Sequence, residues 1–213
     1  MSNRVTIVDY GLGNLLSVER AFRKCDAEVA MASTAEEILA AERLVLPGVG
    51  AFGDGMRGLR ERGLIEPIKA YARNGRPLLG ICLGMQMLFD MSEEFGNHEG
   101  LGLIPGRVTA IPGTTTAGLP HKIPHISWNS LKATTSSWED TIFQDLPAES
   151  SMYFVHSFTA APAQAEHRLA DCDYNGRLIS AAVRAGKVYG CQFHPEKSGE
   201  KGLRIIRAFT HLA

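Results

Sequence analysis

The sequence predicts an α/β fold in which helices flank a mostly parallel central sheet and an antiparallel portion is added toward the C-terminus. In the first half, short β-branched runs alternate with helical patterns, as expected for a parallel sheet covered on both faces. In the second half, strand-like runs are separated by short glycine turns, which is typical of antiparallel hairpins. The 213 residues fit a single domain that spans 1–213.

The first half contains three predicted strands, each ending in a glycine-bearing turn: Arg4 to Val8, Arg43 to Leu46 and Pro77 to Gly80. Apolar residues spaced along one helical face predict a helix from Asn14 to Lys24. The segment from Leu59 to Ala72 is expected to form helical segments that are broken near Gly63 and Pro67.

The second half is predicted to form four strands: Ser151 to Val155, Arg168 to Asp173, Leu178 to Arg184 and Lys187 to Phe193. Asn175-Gly176 and Ala185-Gly186 supply the tight turns between the last three. Residues 113–118 are rich in glycine and threonine and are expected to be a mobile surface loop. A closing helix runs from about Gly199 to Leu212.

Composition excludes several classes of function. Lysines and arginines number 22 against 23 acidic residues, so no net field attracts nucleic acid or an anionic membrane. There is no apolar signal core, and no run approaches the roughly 18 to 20 apolar residues of a membrane span, so a cytoplasmic protein is expected. The four cysteines include no C-x-x-C pair and are expected to be free thiols: Cys25, Cys82, Cys172 and Cys191.

Cys82 is the predicted nucleophile. It follows an apolar strand and precedes a helix, with Gly80 and Gly84 two residues to either side, which is the G-x-C-x-G form of a nucleophile elbow. Glycine is needed at both positions because so sharp a turn leaves no room for side chains. At a helix N-terminus, partial positive charge would also favour the thiolate. The other three cysteines lack such flanks and are expected to be fillers.

A cysteine nucleophile needs an imidazole base and a third group that orients the ring. Among seven histidines, His194 is selected because it leaves the end of a predicted strand and Pro195 biases it to an extended conformation. Residues two apart in an extended segment share a face, so Glu196 can lie against the ring. The sequence therefore predicts a triad of Cys82, His194 and Glu196.

Most other histidines are given no role. His121 and His125 have the spacing of a helical metal pair, but Pro120 and Pro124 interrupt the segment, so neither a helix nor a metal site is expected there. Three more lie among polar or terminal residues and are expected to be solvent-exposed: His98, His167 and His211.

Two further features point to a substrate site. The turn Pro47-Gly48-Val49-Gly50 follows a predicted strand at the sheet edge where open α/β folds bind ligands, and its N–H groups can face a developing oxyanion. The glycines that flank Val49 also allow a peptide flip. Gln86 lies one helical turn after Cys82 on the same face, where it either lines the substrate pocket or caps a backbone group.

Several segments together resemble the class I, triad-type glutamine amidotransferases: LPGVG at 46–50, LGICLGMQ at 79–86 and QFHPE at 192–196. Within that class the chain is most similar to the glutaminase subunits of imidazole glycerol phosphate synthases. That narrower match rests on DYGLGN at 9–14, PHISWN at 124–129, YFVHS at 153–157 and KSG at 197–199. The resemblance covers nearly the whole chain and implies a flavodoxin-like fold with neither cofactor nor metal.

The resemblance also implies a role for each matching residue. Cys82 would attack the carboxamide of glutamine and form a glutamyl thioester. His194, oriented by Glu196, would protonate the departing ammonia and then activate water. The oxyanion hole would be formed by backbone around three residues: Gly48, Val49 and Leu83. The glutamine would be held by Gly50, Gln86, His156, Ser157 and Phe158.

A partner is implied as well, namely a cyclase subunit with a (β/α)8 barrel that forms a heterodimer and receives the ammonia. Ammonia released into neutral water would be protonated, so direct transfer is required. The partner's product would be imidazole glycerol phosphate, within histidine biosynthesis, and glutaminase activity should rise when the partner binds. Four residues would lie toward it: Asn14, Trp128, Tyr153 and Lys197. For the two aromatic residues the sequence leaves ordinary core packing open.

The chain departs from the family pattern at two places. Ser127 stands where most relatives have glycine, and Phe158-Thr159 replaces a tyrosine-bearing pair. Alternative functions are an amidotransferase subunit of an anthranilate, pyridoxal phosphate or sugar-modification pathway, of which Trp128-Asn129 disfavours the first two. An inactive regulatory subunit of the same fold and a cysteine peptidase also remain open.

Overall fold

The computed structural model describes residues 3–134 and 137–212. Six α-helices lie within these ranges: α1 (Leu15–Lys24), α2 (Ala35–Ala40), α3 (Phe52–Glu61), α4 (Ile65–Arg73), α5 (Leu83–Met87) and α6 (Gly199–Thr210). The strands are β1 (Arg4–Val8), β2 (Glu28–Ala32), β3 (Leu44–Gly48), β4 (Leu78–Cys82), β5 (Phe89–Ser92), β6 (His98–Glu99), β7 (Ile104–Ala110), β8 (His125–Ala133), β9 (Ser151–His156), β10 (Phe158–Pro162), β11 (Arg168–Tyr174), β12 (Arg177–Ala185) and β13 (Val188–Cys191).

The main sheet has nine strands in the order β2-β1-β3-β4-β13-β12-β11-β8-β9. The first five in this order are parallel neighbours. The other four are joined by antiparallel pairs. A second sheet with the order β10-β7-β5-β6 lies beside the first, where β10 contacts β12. The predicted α/β class with an added antiparallel portion is therefore confirmed.

Two apolar clusters bury the opposite faces of the main sheet. Successive side chains of a strand point to opposite faces, and accordingly Leu79 and Ile81 of β4 join one cluster while Leu78 joins the other. The first cluster includes α1 and α6, whose Phe22 and Phe209 rings meet edge to face at 6.2 Å. The second includes α3 and α4. The parallel strands are thus covered on both sides, which explains their continuous apolar sequences.

The first half contains elements that the sequence analysis missed. Strand β2 and helix α2 were not predicted, although Thr34 and Glu37 form a complete capping box at the start of α2. Helix α3 begins at Phe52, well before the predicted start near Leu59. Its glycines lower helix propensity, but they also permit close packing, since a Cβ on Gly58 would lie 3.0 Å from the backbone oxygen of Tyr10.

The predicted break at Gly63 is confirmed, and the one at Pro67 is wrong. Gly63 adopts a φ of +67° between α3 and α4. Pro67 lies in the first turn of α4, where an N–H group would have no acceptor within the helix, so proline is tolerated. His98 and His167 are half-buried rather than exposed, and only His211 of that group is exposed as predicted.

All four cysteines are free, as predicted, and all are buried. No helix in residues 3–134 and 137–212 is long and apolar enough to cross a membrane. The loop at 113–118 is largely exposed, and Arg177 donates hydrogen bonds to the carbonyl groups of Thr114 and Thr115.

Gly84→Ala is expected to destabilise the fold. A Cβ at this position would lie 1.7 Å from the carbonyl oxygen of Leu46, so β3 or α5 must move. Overpacking of this kind typically costs about 1–3 kcal/mol or more, which urea denaturation of the two proteins would measure. Gly113→Ala is the matched control, because nothing lies within 4 Å of the added Cβ. Equal stability of both variants would contradict the close approach of β3 and α5.

Candidate active site

The three segments singled out in the sequence converge because their strands are neighbours. β3, β4 and β13 are parallel and adjacent, with Gly48 opposite Cys82 in register and Ile81 opposite Cys191. The chain therefore leaves all three strands at the same edge of the sheet. His194 comes three residues after the end of β13, so it lies at the edge where Cys82 lies.

Cys82 adopts the strained backbone of a nucleophile elbow. Its φ is 54°, a left-handed conformation that non-glycine residues rarely adopt. A Cβ on Gly80 would lie 2.7 Å from the carbonyl oxygen of Gly84, which confirms that the turn leaves no room for side chains at the flanking positions. Helix α5 is only five residues long, so the helix dipole expected at the thiol is that of a short helix.

His194 and Glu196 form the predicted contact. Nδ1 of His194 lies 2.8 Å from Oε1 of Glu196, and the two side chains are only 2% and 1% exposed. The main chain of His194 is also fixed, because its N–H donates to the carbonyl oxygen of Tyr153 and its carbonyl accepts from Ser198 Oγ. The ring is therefore held both by the carboxylate and through its backbone.

The environment favours a protonated His194. Burial alone lowers the pKa of this ring, but the interaction with the nearby Cys82 and the hydrogen bond and charge of Glu196 outweigh burial and raise the pKa to about 9. Nε2 of His194 is buried and has no hydrogen-bond partner among the described residues. Because Nδ1 is occupied by Glu196, Nε2 is the ring nitrogen that remains available to exchange a proton during the reaction.

A cavity of about 280 Å³ opens beside the sulfur, slightly smaller than the roughly 300–1,000 Å³ usual for small-molecule sites. It is lined by Val49, Gly50, Cys82, Leu83, Gln86, Glu94, Pro124, Val155, His156, Ser157, Phe158 and His194. Every residue predicted to hold glutamine lies on this wall. Gly48 does not line the cavity; it is buried behind it, where a Cβ would lie 2.5 Å from Tyr10 Oη.

Gln86 and Gln192 link the nucleophile to the opposite wall of the cavity. Nε2 of Gln86 donates both to the carbonyl oxygen of Phe158 and to Oε1 of Gln192, at 3.0 Å each. Nε2 of Gln192 in turn lies 3.9 Å from the Cys82 sulfur. Gln86 therefore lines the pocket and also binds a backbone group, which combines the two interpretations left open by the sequence.

Three residues of the site were missed by the sequence analysis. Gln192 lies two residues before His194, and the period of two that selected Glu196 would have found it as well. Tyr10 donates from its hydroxyl to the carbonyl oxygen of Pro47 at 2.9 Å and so fixes the turn that leads to Val49. Glu94 carried no sequence signal; its carboxylate accepts from the N–H of Phe52 at 2.6 Å.

Two of the residues predicted to face a partner, Trp128 and Tyr153, lie on the paired strands β8 and β9. Lys197 lies in the short helical turn 195–197, which contacts both β9 and α1, and Asn14 directly precedes α1. Trp128 is 56% exposed and pairs across the strands with Tyr153, their ring centroids 5.9 Å apart. Core packing is therefore the wrong interpretation for Trp128. Lys197 is exposed and Asn14 is half-buried. An exposed tryptophan on an antiparallel strand is typical of a protein interface.

The two departures from the family pattern are accommodated. The hydroxyl of Ser127 donates to Oδ1 of Asn129. Phe158 contributes its backbone carbonyl to the cavity wall, and any residue supplies that group. The neighbouring Thr159 hydroxyl is buried without a hydrogen-bond partner among the described residues. Among those residues, no group of three or more histidine, cysteine or acidic side chains is arranged to hold a metal ion.

The family model of class-I glutamine amidotransferases matches residues 6–212 of the chain. The HisH 1 subunit of imidazole glycerol phosphate synthase from Legionella pneumophila (strain Lens) is 58% identical, over 98% of this chain and 99% of its own. The HisH subunit from Syntrophotalea carbinolica is 46% identical over 96% of this chain and 98% of its own. The structure of PurLQS from Thermotoga maritima superposes with a TM-score of 0.73 at 21% identity, covering 98% of both chains.

Glu196→Gln is expected to lower the pKa of His194 from about 9, because the variant removes the negative charge that stabilises the imidazolium. In the wild type the ring stays protonated at neutral pH and loses its proton as the pH rises through about 9. An NMR titration of the His194 ring would measure both values. Glu200→Gln, which changes an exposed acid at the start of α6, should leave the titration unchanged. An unchanged pKa in Glu196→Gln would contradict the assigned contact.

Proposed function

The chain belongs to the class I glutamine amidotransferases of the HisH type, and from that premise we propose that it hydrolyses L-glutamine with Cys82, His194 and Glu196. The observation that carries the proposal is the meeting of a strained cysteine elbow with a buried His–Glu pair on one small cavity. The ammonia serves imidazole glycerol phosphate synthesis in histidine biosynthesis.

The chemistry proceeds in two steps. The Cys82 thiolate attacks the carboxamide carbon, and the carbon–nitrogen bond breaks as His194 gives its proton to the departing ammonia. The resulting glutamyl thioester is hydrolysed when neutral His194 takes a proton from water, and the carbon–sulfur bond then breaks to release glutamate. Glu196 keeps Nδ1 protonated and orients the ring, so Nε2 carries every proton transfer.

Backbone N–H groups at the N-terminus of α5 and in the turn after β3 stabilise the tetrahedral intermediate. Leu83 is the first residue of α5, and N–H groups in a first helical turn have no acceptor within the helix. Val49 lines the same cavity from the turn after β3. Donors from these two residues form the oxyanion hole, with Gly48 behind them.

The remaining cavity wall suits the two ends of glutamine. Glu94 is the only acidic residue that lines the cavity within the described parts of the chain, and its carboxylate attracts the α-ammonium group. Gly50, Gln86, His156, Ser157 and Phe158 surround the rest of the substrate.

A second subunit receives the ammonia. We propose a cyclase with a (β/α)8 barrel that binds the face formed by Asn14, Trp128, Tyr153 and Lys197. Tyr153 joins this face to the catalytic residues, since its backbone carbonyl accepts the N–H of His194. Binding of the partner at this face therefore acts on β9, the strand whose backbone is hydrogen-bonded to His194.

Cys82→Ala is expected to reduce glutamate release by on the order of 10³-fold or more, because the thioester cannot form. Glutamate would be measured with L-glutamine in the presence and absence of the cyclase subunit. Cys25→Ala removes a thiol at the far end of α1 and should retain activity. Wild-type protein that releases no glutamate even with its partner would indicate an inactive subunit, and cleavage of peptides would indicate a peptidase.

Trp128→Ala is expected to weaken binding of the cyclase subunit by about 2 kcal/mol, roughly 30-fold in Kd, as is usual for a central aromatic contact. Isothermal titration calorimetry would measure the Kd. Leu39→Ala is the control, because Leu39 is an exposed apolar residue on α2, which packs beside β2 at the opposite end of the sheet. Equal losses in both variants would argue against the proposed face.

A further inference from the structure

Two buried histidines connect the cavity wall to strand β8. Nδ1 of His125 lies 2.9 Å from Nε2 of His156. At the cavity end, Nδ1 of His156 lies 2.8 Å from the carbonyl oxygen of Phe158. At the other end, Nε2 of His125 lies 2.8 Å from Oδ1 of Asn129. All four ring nitrogens are therefore occupied within the protein.

The groups at the two ends of this hydrogen-bonded series are acceptors only. The carbonyl oxygen of Phe158 is an acceptor, and it also receives the Gln86 amide. The orientation of the Asn129 side chain is fixed because its Nδ2 donates to the carbonyl oxygen of Asp173 at 2.8 Å, so Oδ1 must face His125. Each outer ring nitrogen must carry a proton to make its contact a hydrogen bond.

Three contacts therefore require three protons, whereas two neutral imidazoles carry only two. Burial opposes the extra charge, because it lowers the pKa of His156 to about 3 and lowers that of His125 as well. The neighbouring rings of His194 and His121 push in the same direction.

A contact without a proton sets two lone pairs against each other, at 2.9 Å in the middle of the series. The two outer oxygens each have a second donor, Gln86 Nε2 at Phe158 and Ser127 Oγ at Asn129, whereas the ring nitrogens in the middle have none. The contact that lacks a proton is therefore one of the two at the ends.

We propose that His125 and His156 are positioning residues that form a tautomeric relay, which holds either the cavity wall at Phe158 or strand β8 at Asn129, but not both. In one tautomer His156 donates to Phe158 and His125 donates to His156. In the other, His125 donates to Asn129 and His156 donates to His125. In going from the first state to the second, the middle proton moves from His125 Nδ1 to His156 Nε2, His156 Nδ1 releases its proton to water in the cavity, and His125 Nε2 takes up a proton from water. The net charge of the pair is therefore unchanged.

The relay connects the glutamine cavity to the face that is proposed to bind the partner. This role of the relay rests on the proposed function. On one side, Phe158 and Gln86 connect it through Gln192 to the Cys82 sulfur. On the other, Asn129 directly follows Trp128 on β8, the residue proposed to meet the partner. A ligand that fixes one end changes the hydrogen bond at the other, which is the two-state element that coupling between sites requires.

Side-chain ¹⁵N NMR of ¹⁵N-histidine-labelled protein tests the relay, because protonated and unprotonated ring nitrogens differ widely in chemical shift. The spectrum of the free chain should show one unprotonated outer nitrogen for each tautomer present. His125→Phe keeps the stack on Tyr174, at 4.0 Å between ring centroids, and assigns the signals. If both outer nitrogens stay fully protonated at neutral pH, the pair is charged and the relay is overturned.

Asn129→Leu makes the test independent of activity. It removes the acceptor at β8, so the pair should shift completely to the tautomer in which His156 Nδ1 is protonated and His125 Nε2 is not. Persistent protonation of His125 Nε2 in this variant would overturn the relay. Thermal melting would verify that the variant is folded, and the wild-type spectrum decides the proposal if it is not.

Labelling of Cys82 with a chloroketone analogue of L-glutamine tests the coupling to the cavity. A change in the tautomer populations of the pair on labelling supports the relay, and labelled protein with unchanged populations overturns the coupling. Failure of Cys82 to react would instead contradict the proposed function, and the Asn129→Leu spectrum would still decide the relay.

Discussion

The close approach of β3, β4 and α5 is the constraint on which the rest of the site depends. Gly84 packs so tightly against the backbone of Leu46 that no side chain fits between them, and this contact bends the chain sharply enough to give Cys82 a φ of 54°. The strain costs on the order of 1–3 kcal/mol and is sustained by the two apolar clusters around the sheet. As a result, the Cys82 thiol lies at the edge of the sheet where the segment after β13 places His194.

Burial then determines the chemistry at that edge. An imidazolium or a carboxylate alone would be costly at such low exposure, but His194, Glu196 and Cys82 compensate one another. The same reasoning explains why the neighbouring His156 is expected to be neutral, since it has no carboxylate partner and lies near His194. One buried histidine is thus a proton carrier and the other a hydrogen-bonding link, although both lie on one cavity wall.

The sequence was informative wherever local geometry alone decides the outcome. The elbow around Cys82 and the alternation that pairs His194 with Glu196 were both predictable, because glycine sterics and a period of two do not depend on the remainder of the chain. Glu94 and the His125–His156 contact were not predictable, since they join segments distant in sequence. Helix α3 was misjudged because its glycines, which are unfavourable locally, are required by packing: Gly58 lies against Tyr10 and Gly55 against Met87.

Trapping the acyl-enzyme tests the central claim most directly. His194→Asn protein, in which water is no longer activated, would be mixed with the cyclase subunit and the γ-(4-nitrophenyl) ester of L-glutamate, whose leaving group departs without the proton of His194. The mixture would be quenched in acid and examined by mass spectrometry of its peptides. The account predicts that the peptide containing Cys82 gains the mass of one glutamyl group, and that this adduct is lost on treatment with hydroxylamine. An adduct on another cysteine, or glutamate released without any adduct at Cys82, would contradict it.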